Sequence, residues 1–245
     1  MRKLIFFIAL LMAQSHYGQK NNLQGTLNAR DTTFLEFNYK ALIIPSVMIG
    51  YGLIATESHS LIDINNGIKE EVTEHIDEKF TVDDISQYVP AIAVYGLNMF
   101  GVKGKHNLKD RSIVLATSYL IMSSSILGLK TITRVERPDG SSRNSFPSGH
   151  TATAFVGAEF LWQEYKDVSI WYGLAGYAVA TGTGFFRIYN DRHWFSDVVA
   201  GAGIGILSTK IAYWITPFIE KKCLKSGTKR INMIKLLYHF TTGKK

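Results

Sequence analysis

Apolar stretches separated by short polar turns occupy most of the chain, and their lengths predict helices. The long stretches are rich in Gly, Ala, Ser and Thr and cover residues 85–102, 112–129, 151–162, 169–188 and 198–219. Small residues let helix backbones approach closely, and the valine and isoleucine alternation typical of strands is nearly absent. The pattern therefore predicts an all-α helical bundle.

The first residues have the pattern of an export signal. Arg2 and Lys3 precede an apolar run over residues 4–12, and residues 13–15 have the small-x-small pattern of a cleavage site. The run is shorter than the ~20 residues that a spanning helix needs. We predict a signal peptide over residues 1–18, with an uncleaved anchor as the alternative, and export of the residues that follow, as in a bacterial envelope protein.

The apolar segments predict a membrane-embedded bundle. Residues 112–129 contain no charged side chain, which makes them the strongest span. Basic residues concentrate in 103–111 and 220–245, whereas residues 57–84 are mainly acidic. The positive-inside rule places the two basic stretches in the cytoplasm and the acidic one outside, and five crossings satisfy that orientation. We expect a multi-pass protein of the bacterial inner membrane.

The chain divides by composition after the signal peptide. Residues 19–84 form an exported N-terminal region, 85–219 the helical bundle and 220–245 a basic cytoplasmic tail. The N-terminal region contains a short apolar segment at 41–55, which would invert the topology as a sixth crossing; we expect it to lie at the membrane surface or on the bundle. Its acidic stretch has helical spacing and a capping pattern at 81–84.

Some features favour a soluble helical domain instead. Glu159 and Lys210 lie inside two predicted spans, where a charge costs roughly 2.5–3.5 kcal/mol. The mean hydropathy of +0.04 is also low for a protein with several spans. In a membrane, we expect Glu159 to face the bundle interior and Lys210 to extend toward the inner surface.

Composition excludes several kinds of site. Cys223 is the single cysteine, so an internal disulfide, a zinc site built on cysteines and a thiol redox pair are excluded. The net charge of +7 lies mainly on the presumed cytoplasmic side, which indicates a topology signal and not a nucleic-acid surface. No carboxylate cluster has the spacing of magnesium ligands, and we expect no metal and no other cofactor.

Three polar clusters carry the candidate chemistry, and the predicted topology places all of them at the outer ends of helices. They are Lys130 with Arg137-Pro138, then Pro147-Ser148-Gly149-His150, then Arg187 with His193 and Asp197. Each cluster alone fits an ordinary role, as interfacial anchors, a turn before a helix, or a pair on a helix surface. Three cations, two histidines and a carboxylate at one end of a bundle make coincidence a poor explanation.

The spacing of these clusters resembles the type-2 phosphatidic acid phosphatase superfamily over about residues 85–219. This superfamily includes bacterial acid phosphatases, lipid phosphate phosphatases and vanadium haloperoxidases, so the resemblance implies the helical bundle that they share. The chain departs from the pattern at Phe186, where the family commonly has serine. One hydroxyl contact to the phosphate is therefore in doubt.

The resemblance implies a role for each matching residue. His193 would be the nucleophile that forms a phosphohistidine, and Asp197 would hold its other ring nitrogen. His150 would protonate the leaving oxygen and then activate water. The phosphate would be bound by the remaining motif residues, Lys130, Arg137, Ser148, Gly149 and Arg187.

The resemblance further implies a metal-independent phosphatase that acts on a phosphomonoester or pyrophosphate, and the predicted topology places its site at the periplasmic face. A membrane site favours a lipid substrate, with lipid A, phosphatidic acid, phosphatidylglycerophosphate and polyprenyl pyrophosphate as candidates. We expect the bilayer and this lipid as partners, with no nucleic acid and no obligate protein partner. A soluble periplasmic acid phosphatase, a haloperoxidase and a noncatalytic membrane protein are the alternatives.

Overall fold

The computed structural model describes residues 38–74 and 79–216, and every regular element within these two stretches is a helix. After a 3₁₀ turn at Tyr39–Leu42 the helices are α1 Ile43–Ala55, α2 His59–Thr73, α3 Val82–Ser86, α4 Val89–Met99, α5 Leu108–Thr133, α6 Gly149–Tyr165, α7 Ile170–Tyr189 and α8 Phe195–Thr216. The predicted all-α class is confirmed. The predicted signal peptide at 1–18 and the tail at 220–245 lie outside the described residues.

Helix α6 is at the centre of the bundle, where it packs against α4, α5 and α7. Its approach to α8 is closer than side chains would permit. A Cβ atom on Gly201 would lie 2.5 Å from the backbone oxygen of Ser148, and one on Gly205 would lie 2.5 Å from that of Ala152. Glycine at these positions therefore lets the N-terminal half of α8 lie next to the beginning of α6.

Two described helices, α5 and α8, are long and apolar enough to cross a membrane. The most apolar window of α5 has a mean hydropathy of 1.7, and only 22% of that window is buried inside the protein. Leu120 and Leu127 of α5 are 70% and 65% exposed, as expected for side chains that face lipid. Residues 112–129, which the sequence predicts as the strongest span, lie within α5.

The N-terminal apolar segment packs on the bundle. A Cβ atom on Gly203 of α8 would lie 2.7 Å from the backbone oxygen of Pro45, which shows how closely α1 approaches α8. Pro45 lies in the first turn of α1, where a missing N–H removes no helical bond. The chain then bends by 96° between the Tyr39–Ala55 segment and α2. Counted together, these two segments would form a third, broken span.

The predicted segment at 85–102 forms two helices instead of one continuous helix. Helix α3 ends at Ser86, and α4 begins at Val89 with Pro90 in its first turn. Proline is favoured at this position, since its ring fixes a helical φ and the first N–H groups of a helix have no partner in any case. Helix α3 thus crosses the predicted boundary at residue 84.

Two charges inside predicted spans form a pair. Glu159 is 1% exposed, which confirms that it faces the bundle interior. The expectation that Lys210 extends to the inner surface is wrong: its Nζ donates to Oε1 of Glu159 at 2.7 Å. Gln163 donates to the same oxygen at 2.5 Å, and the Tyr177 hydroxyl donates to Oε2. A charge stays in an apolar interior when it is paired and hydrogen-bonded in this way.

Candidate active site

A cavity of about 440 Å³ opens at the end of the bundle where α5 and α7 end and where α6 and α8 begin. The structure brings most of the predicted site residues to its wall, namely Lys130, Arg137, Gly149, His150, Arg187 and His193. Asp197 lies behind His193, in contact with its ring. The three clusters that are separate along the chain therefore form one site.

The backbone of the loop after α7 fixes the position of His193. The carbonyl oxygen of Arg187, in the last turn of α7, accepts hydrogen bonds from the backbone N–H of Arg192 at 3.0 Å and of His193 at 3.2 Å. Asp191 takes a left-handed conformation with a φ of 57° to make this turn. The turn directs the His193 ring inward, where it is 2% exposed.

The surroundings of His193 favour its neutral form. Burial lowers the pKa of His193 to about 4, although the neighbouring Asp197 carboxylate acts in the opposite direction. Nδ1 of the ring lies 3.5 Å from Oδ2 of Asp197 and 3.5 Å from the Ser145 hydroxyl oxygen. The ring is therefore uncharged at neutral pH, and its Nδ1 side faces the carboxylate.

Ser145 is a site residue that the sequence analysis missed. Its hydroxyl donates to Oδ2 of Asp197, and the backbone N–H of Trp194 donates to the same oxygen at 2.9 Å. The Ser145 side chain is buried, and its backbone N–H donates to the carbonyl oxygen of Val135 at 2.9 Å. These bonds hold the carboxylate beside His193. Ser145 lies just outside the second cluster, and no sequence pattern marked it.

His150 and Gly149 form the start of α6 at the cavity wall. Nε2 of His150 lies 2.8 Å from Oδ1 of Asp84. Burial and then the nearby Arg187 guanidinium lower the pKa of His150 below its ordinary value, while the carboxylates of Asp84 and Asp83 act in the opposite direction. Ser148 is the N-cap residue, and its hydroxyl contacts that of Thr151 at 2.8 Å, away from the cavity lining.

The loop between α5 and α6 carries the first pair of cations. Lys130 is in the last turn of α5 and donates to the backbone oxygen of Asn144, while Nε of Arg137 donates to the side-chain oxygen of that residue at 2.9 Å. A turn at Gly140, whose φ is +68°, holds Arg137 through a hydrogen bond of 2.9 Å from the Gly140 N–H. Burial, followed by repulsion from Arg192 and Arg187, lowers the pKa of Arg137. Such crowding of cations favours an anion in the cavity.

The third cation, Arg187, is 6% exposed and is paired with a residue outside the three clusters. Its Nη1 donates to Oδ2 of Asp83, and the Asn190 amide donates to Oδ1 of Asp83 at 3.0 Å. The Nε atom of Arg187 is buried and has no hydrogen-bond partner within the described part of the chain. One donor of the guanidinium is thus without a hydrogen bond among the described residues.

Phe186 supplies no polar contact to the site. Its ring packs against Tyr189 at 5.8 Å and Phe185 at 6.0 Å, measured between ring centroids. The departure from the family pattern thus replaces a hydroxyl with aromatic packing on α7.

The acidic N-terminal region contributes residues to the cavity that the sequence analysis did not predict for the site. Lys79, Thr81, Asp83 and Asp84 all line it. The predicted N-cap position at Thr81 is confirmed by the start of α3 at Val82, although the Thr81 side chain makes no capping hydrogen bond. The capping pattern thus predicts where the helix starts, but it gives no role for the carboxylates of this helix.

Asp83, Asp84 and His150 are also the described residues with the geometry of a metal site. One ligand atom from each lies within 4.8 Å of the others. Both oxygens of Asp83 already accept hydrogen bonds, from Arg187 and Asn190. The adjacent guanidinium would repel a cation, so this donor set fits a metal poorly. The prediction that the site needs no metal stays a prediction.

Helix α2 is attached to the loop that carries His193. The amide of Asn65 donates to the Ser196 hydroxyl at 2.9 Å and accepts from the Ser196 backbone N–H at 3.1 Å. Lys69 donates to the backbone oxygen of Pro138 at 2.9 Å and lies 5.6 Å from the centre of the Trp194 ring. These contacts connect α2 to the first and third clusters.

Comparison with known proteins identifies relatives for about half of the chain. Residues 111–221 match the sequence model of the PAP2 superfamily. The chain is 43% identical over 139 residues to a lipid A 1-phosphatase of Porphyromonas gingivalis, and this match covers 56% of this chain and 31% of that protein. It is 35% identical over 74 residues to the bacitracin transport permease protein BcrC of Bacillus licheniformis, covering 30% of this chain and 34% of that protein. The chain therefore spans about a third of the length of these curated relatives.

Two solved structures are also similar. The crystal structure of Aquifex aeolicus LpxE has a TM-score of 0.48 and 22% identity, and the match covers 61% of this chain and 94% of that one. The crystal structure of a PAP2 type phosphatidylglycerolphosphate phosphatase from Bacillus subtilis has a TM-score of 0.46 and 18% identity, with 73% of this chain and 96% of that one covered.

Proposed function

We propose that this chain, which contains a PAP2 superfamily domain, is a phosphatase that removes phosphate from a membrane lipid. The observation that carries the proposal is that His193 and His150 share one cavity wall with Lys130, Arg137 and Arg187. The name of the Porphyromonas gingivalis relative makes lipid A the first substrate to test. Phosphatidic acid, phosphatidylglycerophosphate and polyprenyl pyrophosphate are the further candidates.

In the first step, His193 attacks phosphorus. Its Nδ1 faces Asp197, so Nε2 is the nitrogen that forms the bond to phosphorus. The bond from phosphorus to the lipid oxygen breaks with its electron pair on that oxygen, and His150 supplies the proton that neutralises it. The positive charge that develops on the His193 ring is stabilised by Asp197. The products of this step are the dephosphorylated lipid and a phosphohistidine.

The cations around the cavity stabilise the transferring group. Lys130, Arg137 and Arg187 would bind the nonbridging oxygens, over which the transition-state charge is spread. Support comes from Arg187, which lines the cavity and whose buried Nε has no partner among the described residues. The backbone N–H of Gly149, at the start of α6, adds a donor where the helix dipole favours an anion. The proposed reaction needs no metal, because these fixed cations supply the positive charge.

In the second step, water releases phosphate from His193. His150, which lost its proton in the first step, takes a proton from this water as the water attacks phosphorus in line with Nε2. The bond between nitrogen and phosphorus breaks with its electrons on the ring. Both histidines return to their starting states, and inorganic phosphate leaves.

We further propose that the site opens at the periplasmic face of the inner membrane. The exposed apolar surface of α5 supports burial in lipid, and it counts against the soluble phosphatase. The basic residues at 103–111 and 220–245 support a cytoplasmic position for the opposite end. A reporter enzyme fused after Lys245 should therefore be active in the cytoplasm, and periplasmic activity there would contradict this orientation.

The decisive experiment is phosphate release from a panel of purified lipid phosphates in detergent. The panel contains lipid A and the three other candidate lipids, and it compares the wild type with His193→Ala and with His59→Ala. His59 is exposed on α2, so its substitution controls for the loss of a histidine. We expect release from at least one lipid, abolished only by His193→Ala. Release that persists at near wild-type rates in His193→Ala would refute the nucleophile, and no release from any lipid would refute the function.

A further inference from the structure

Helix α3 places two adjacent carboxylates at the cavity wall, the buried Asp83 and the exposed Asp84, although it lies outside the residues that match the PAP2 superfamily. The helix packs against α6 and α7, the two helices that carry His150 and Arg187. Asp83 and Asp84 each contact one of these two residues. The short helix therefore delivers one negative charge to a phosphate-binding cation and another to the candidate general acid.

Asp83 anchors this arrangement. It is 1% exposed and accepts from both Arg187 and Asn190. The side chain of Asn190 in turn donates to the backbone oxygen of Phe80 at 2.7 Å and accepts from the Phe80 N–H at 3.1 Å. The chain before α3 is thus fastened to the end of α7, which fixes where Asp84 lies.

The side chain of Asp84 extends from this anchor to His150. Its Oδ1 lies 2.8 Å from Nε2 of the ring, a normal hydrogen-bond distance. The cavity keeps a volume of about 440 Å³ with this contact in place, so Asp84 does not fill the space for a phosphate group. The contact therefore indicates that Asp84 is a hydrogen-bond partner of His150 and not a group that blocks the cavity.

His150 needs such a partner because its surroundings are mostly cationic. The charged and titratable groups that share its cavity are Asp83 and Asp84 from α3, Arg187 from α7, and His193, Arg192, Arg137, Lys130 and Lys79 from the other walls. Cations that bind phosphate also disfavour a proton on a nearby imidazole. A carboxylate in direct contact therefore favours the protonated ring that a general acid needs.

We propose that Asp84 is the positioning residue of His150: it accepts the Nε2 hydrogen, fixes the ring and favours the protonated imidazole against the surrounding cations, so that Nδ1 delivers the proton to the leaving oxygen. In that step the N–H bond at Nδ1 breaks, the new O–H bond forms on the lipid oxygen, and the phosphorus–oxygen electron pair stays on that oxygen. This inference rests on the proposed function. It extends the active site to a helix that the three motif clusters do not include.

The first test compares Asp84→Asn with the wild type and with Asp63→Asn. Asp63 is an exposed carboxylate of α2, so its substitution makes the same charge change without touching the cavity. With a lipid phosphate, whose alkoxide leaves poorly, we expect Asp84→Asn to lower kcat by about tenfold or more at pH 7, with little change in KM. The basic limb of its pH profile should move to lower pH. Asp84→Glu should restore part of the rate.

The leaving group provides a readout that a purely structural role would not change. The oxygen of 4-nitrophenyl phosphate leaves without a proton, so Asp84→Asn should lose far less rate with this substrate than with a lipid phosphate. Equal losses with both substrates would overturn the proposal. An unchanged kcat with a lower KM in Asp84→Asn would also overturn it, because that result is expected if Asp84 only blocks the cavity. Sensitivity of the wild type to EDTA that disappears in Asp84→Asn would assign a metal site instead.

The second test needs no turnover. An NMR titration of histidine-labelled protein in detergent follows the His150 ring, assigned by the loss of its signal in His150→Gln. We expect its midpoint to fall in Asp84→Asn and to stay unchanged in Asp63→Asn. An unchanged midpoint in Asp84→Asn would refute the inference. If the wild type hydrolyses no lipid phosphate, the proposed function fails, and this titration still decides whether Asp84 acts on His150.

Discussion

The three motif clusters and the acidic α2–α3 region contribute opposite charges to the same cavity. The clusters supply Lys130, Arg137 and Arg187 together with both histidines, whereas α3 supplies Asp83 and Asp84. The clusters have the spacing of a large superfamily, while α3 lies outside the matched residues 111–221. The cations and both histidines thus lie within the matched residues, whereas the two carboxylates lie in a segment outside that match. Under the proposed function the matched part binds phosphate, and α3 adjusts the charge and orientation of Arg187 and His150.

The largest effect on activity should come from a substitution within the matched residues 111–221. Arg187→Gln is expected to lower kcat/KM by about 10²–10³-fold, because a fixed donor to the transition-state charge is lost. Arg187→Lys keeps the positive charge but loses the planar guanidinium, so its kcat/KM should lie between those of the wild type and Arg187→Gln. Phosphate release from the preferred lipid measures the series. A loss below about threefold in Arg187→Gln would mean that this cation is not part of the phosphate site.

The pH profile of kcat/KM should show the ionisation of both His193 and His150. The His193 ring must be neutral, so activity falls as the pH drops through its pKa of about 4. His150 must be protonated, so activity falls as the pH rises through its pKa, which burial and then Arg187 hold below the ordinary 6.5. We expect a maximum between the His193 pKa of about 4 and the ordinary histidine value of 6.5, with roughly tenfold loss per pH unit beyond each limb. Equal kcat/KM from pH 5 to 8 would contradict these roles.

Asp83→Asn tests the contribution of helix α3 directly. The change leaves the buried Arg187 guanidinium without its carboxylate, so the free energy of unfolding should fall by about 3 kcal/mol. Activity should fall by about tenfold as Arg187 loses its orientation. Denaturant unfolding in detergent and phosphate release measure the two effects, with Asp63→Asn as the control. If both quantities match the wild type, α3 does not support the phosphate site.

Asn65→Ala should have a smaller effect, because α2 contacts the third cluster from outside the cavity. The change removes two hydrogen bonds to Ser196, each of which contributes about 1 kcal/mol. We expect a decrease of about 1–2 kcal/mol in the free energy of unfolding and less than about threefold in kcat. Asn66→Ala, at an exposed position of the same helix, is the matched control. A large loss of kcat would place α2 in the catalytic arrangement itself.

Metal removal should have no effect. Dialysis against excess EDTA is expected to leave phosphate release unchanged, because Lys130, Arg137 and Arg187 provide the positive charge that a metal would provide. Measuring Asp83→Asn in parallel would reveal a metal at the α3 carboxylates. Activity that is lost in EDTA and restored by a divalent cation would refute metal-independent catalysis.

Much of the site could be predicted from the sequence because its residues occur in short clusters. His193 and Asp197 are one helical turn apart, and Lys130 and Arg137 flank the end of one helix, so local spacing places them together. The contact between Asp84 and His150 joins residues 66 positions apart, and that between Asp83 and Arg187 joins residues 104 apart. No local pattern connects such residues. From the sequence, the acidic stretch that contains these carboxylates indicates the membrane orientation and a helix start, but it identifies no partner for Asp83 or Asp84.

Ser145 and Lys210 illustrate the same limit. Ser145 donates to Asp197 across 52 positions, and Lys210 pairs with Glu159 across 51 positions. The sequence predicted an inward-facing Glu159, because an apolar segment leaves few other places for a carboxylate. It predicted the wrong direction for Lys210, because the length of a lysine side chain permits either a partner inside the bundle or contact with the surface.

By itself the sequence determined the helical class, the apolar segments and the motif clusters, since these depend on side-chain periodicity and on neighbours within a few residues of each other. Only the tertiary structure decided which carboxylates lie beside which cations and imidazoles. The physical reason is that charge pairing in a low-dielectric cavity depends on distances of a few ångströms between distant parts of the chain. Those distances are set by how closely α3, α6, α7 and α8 pack.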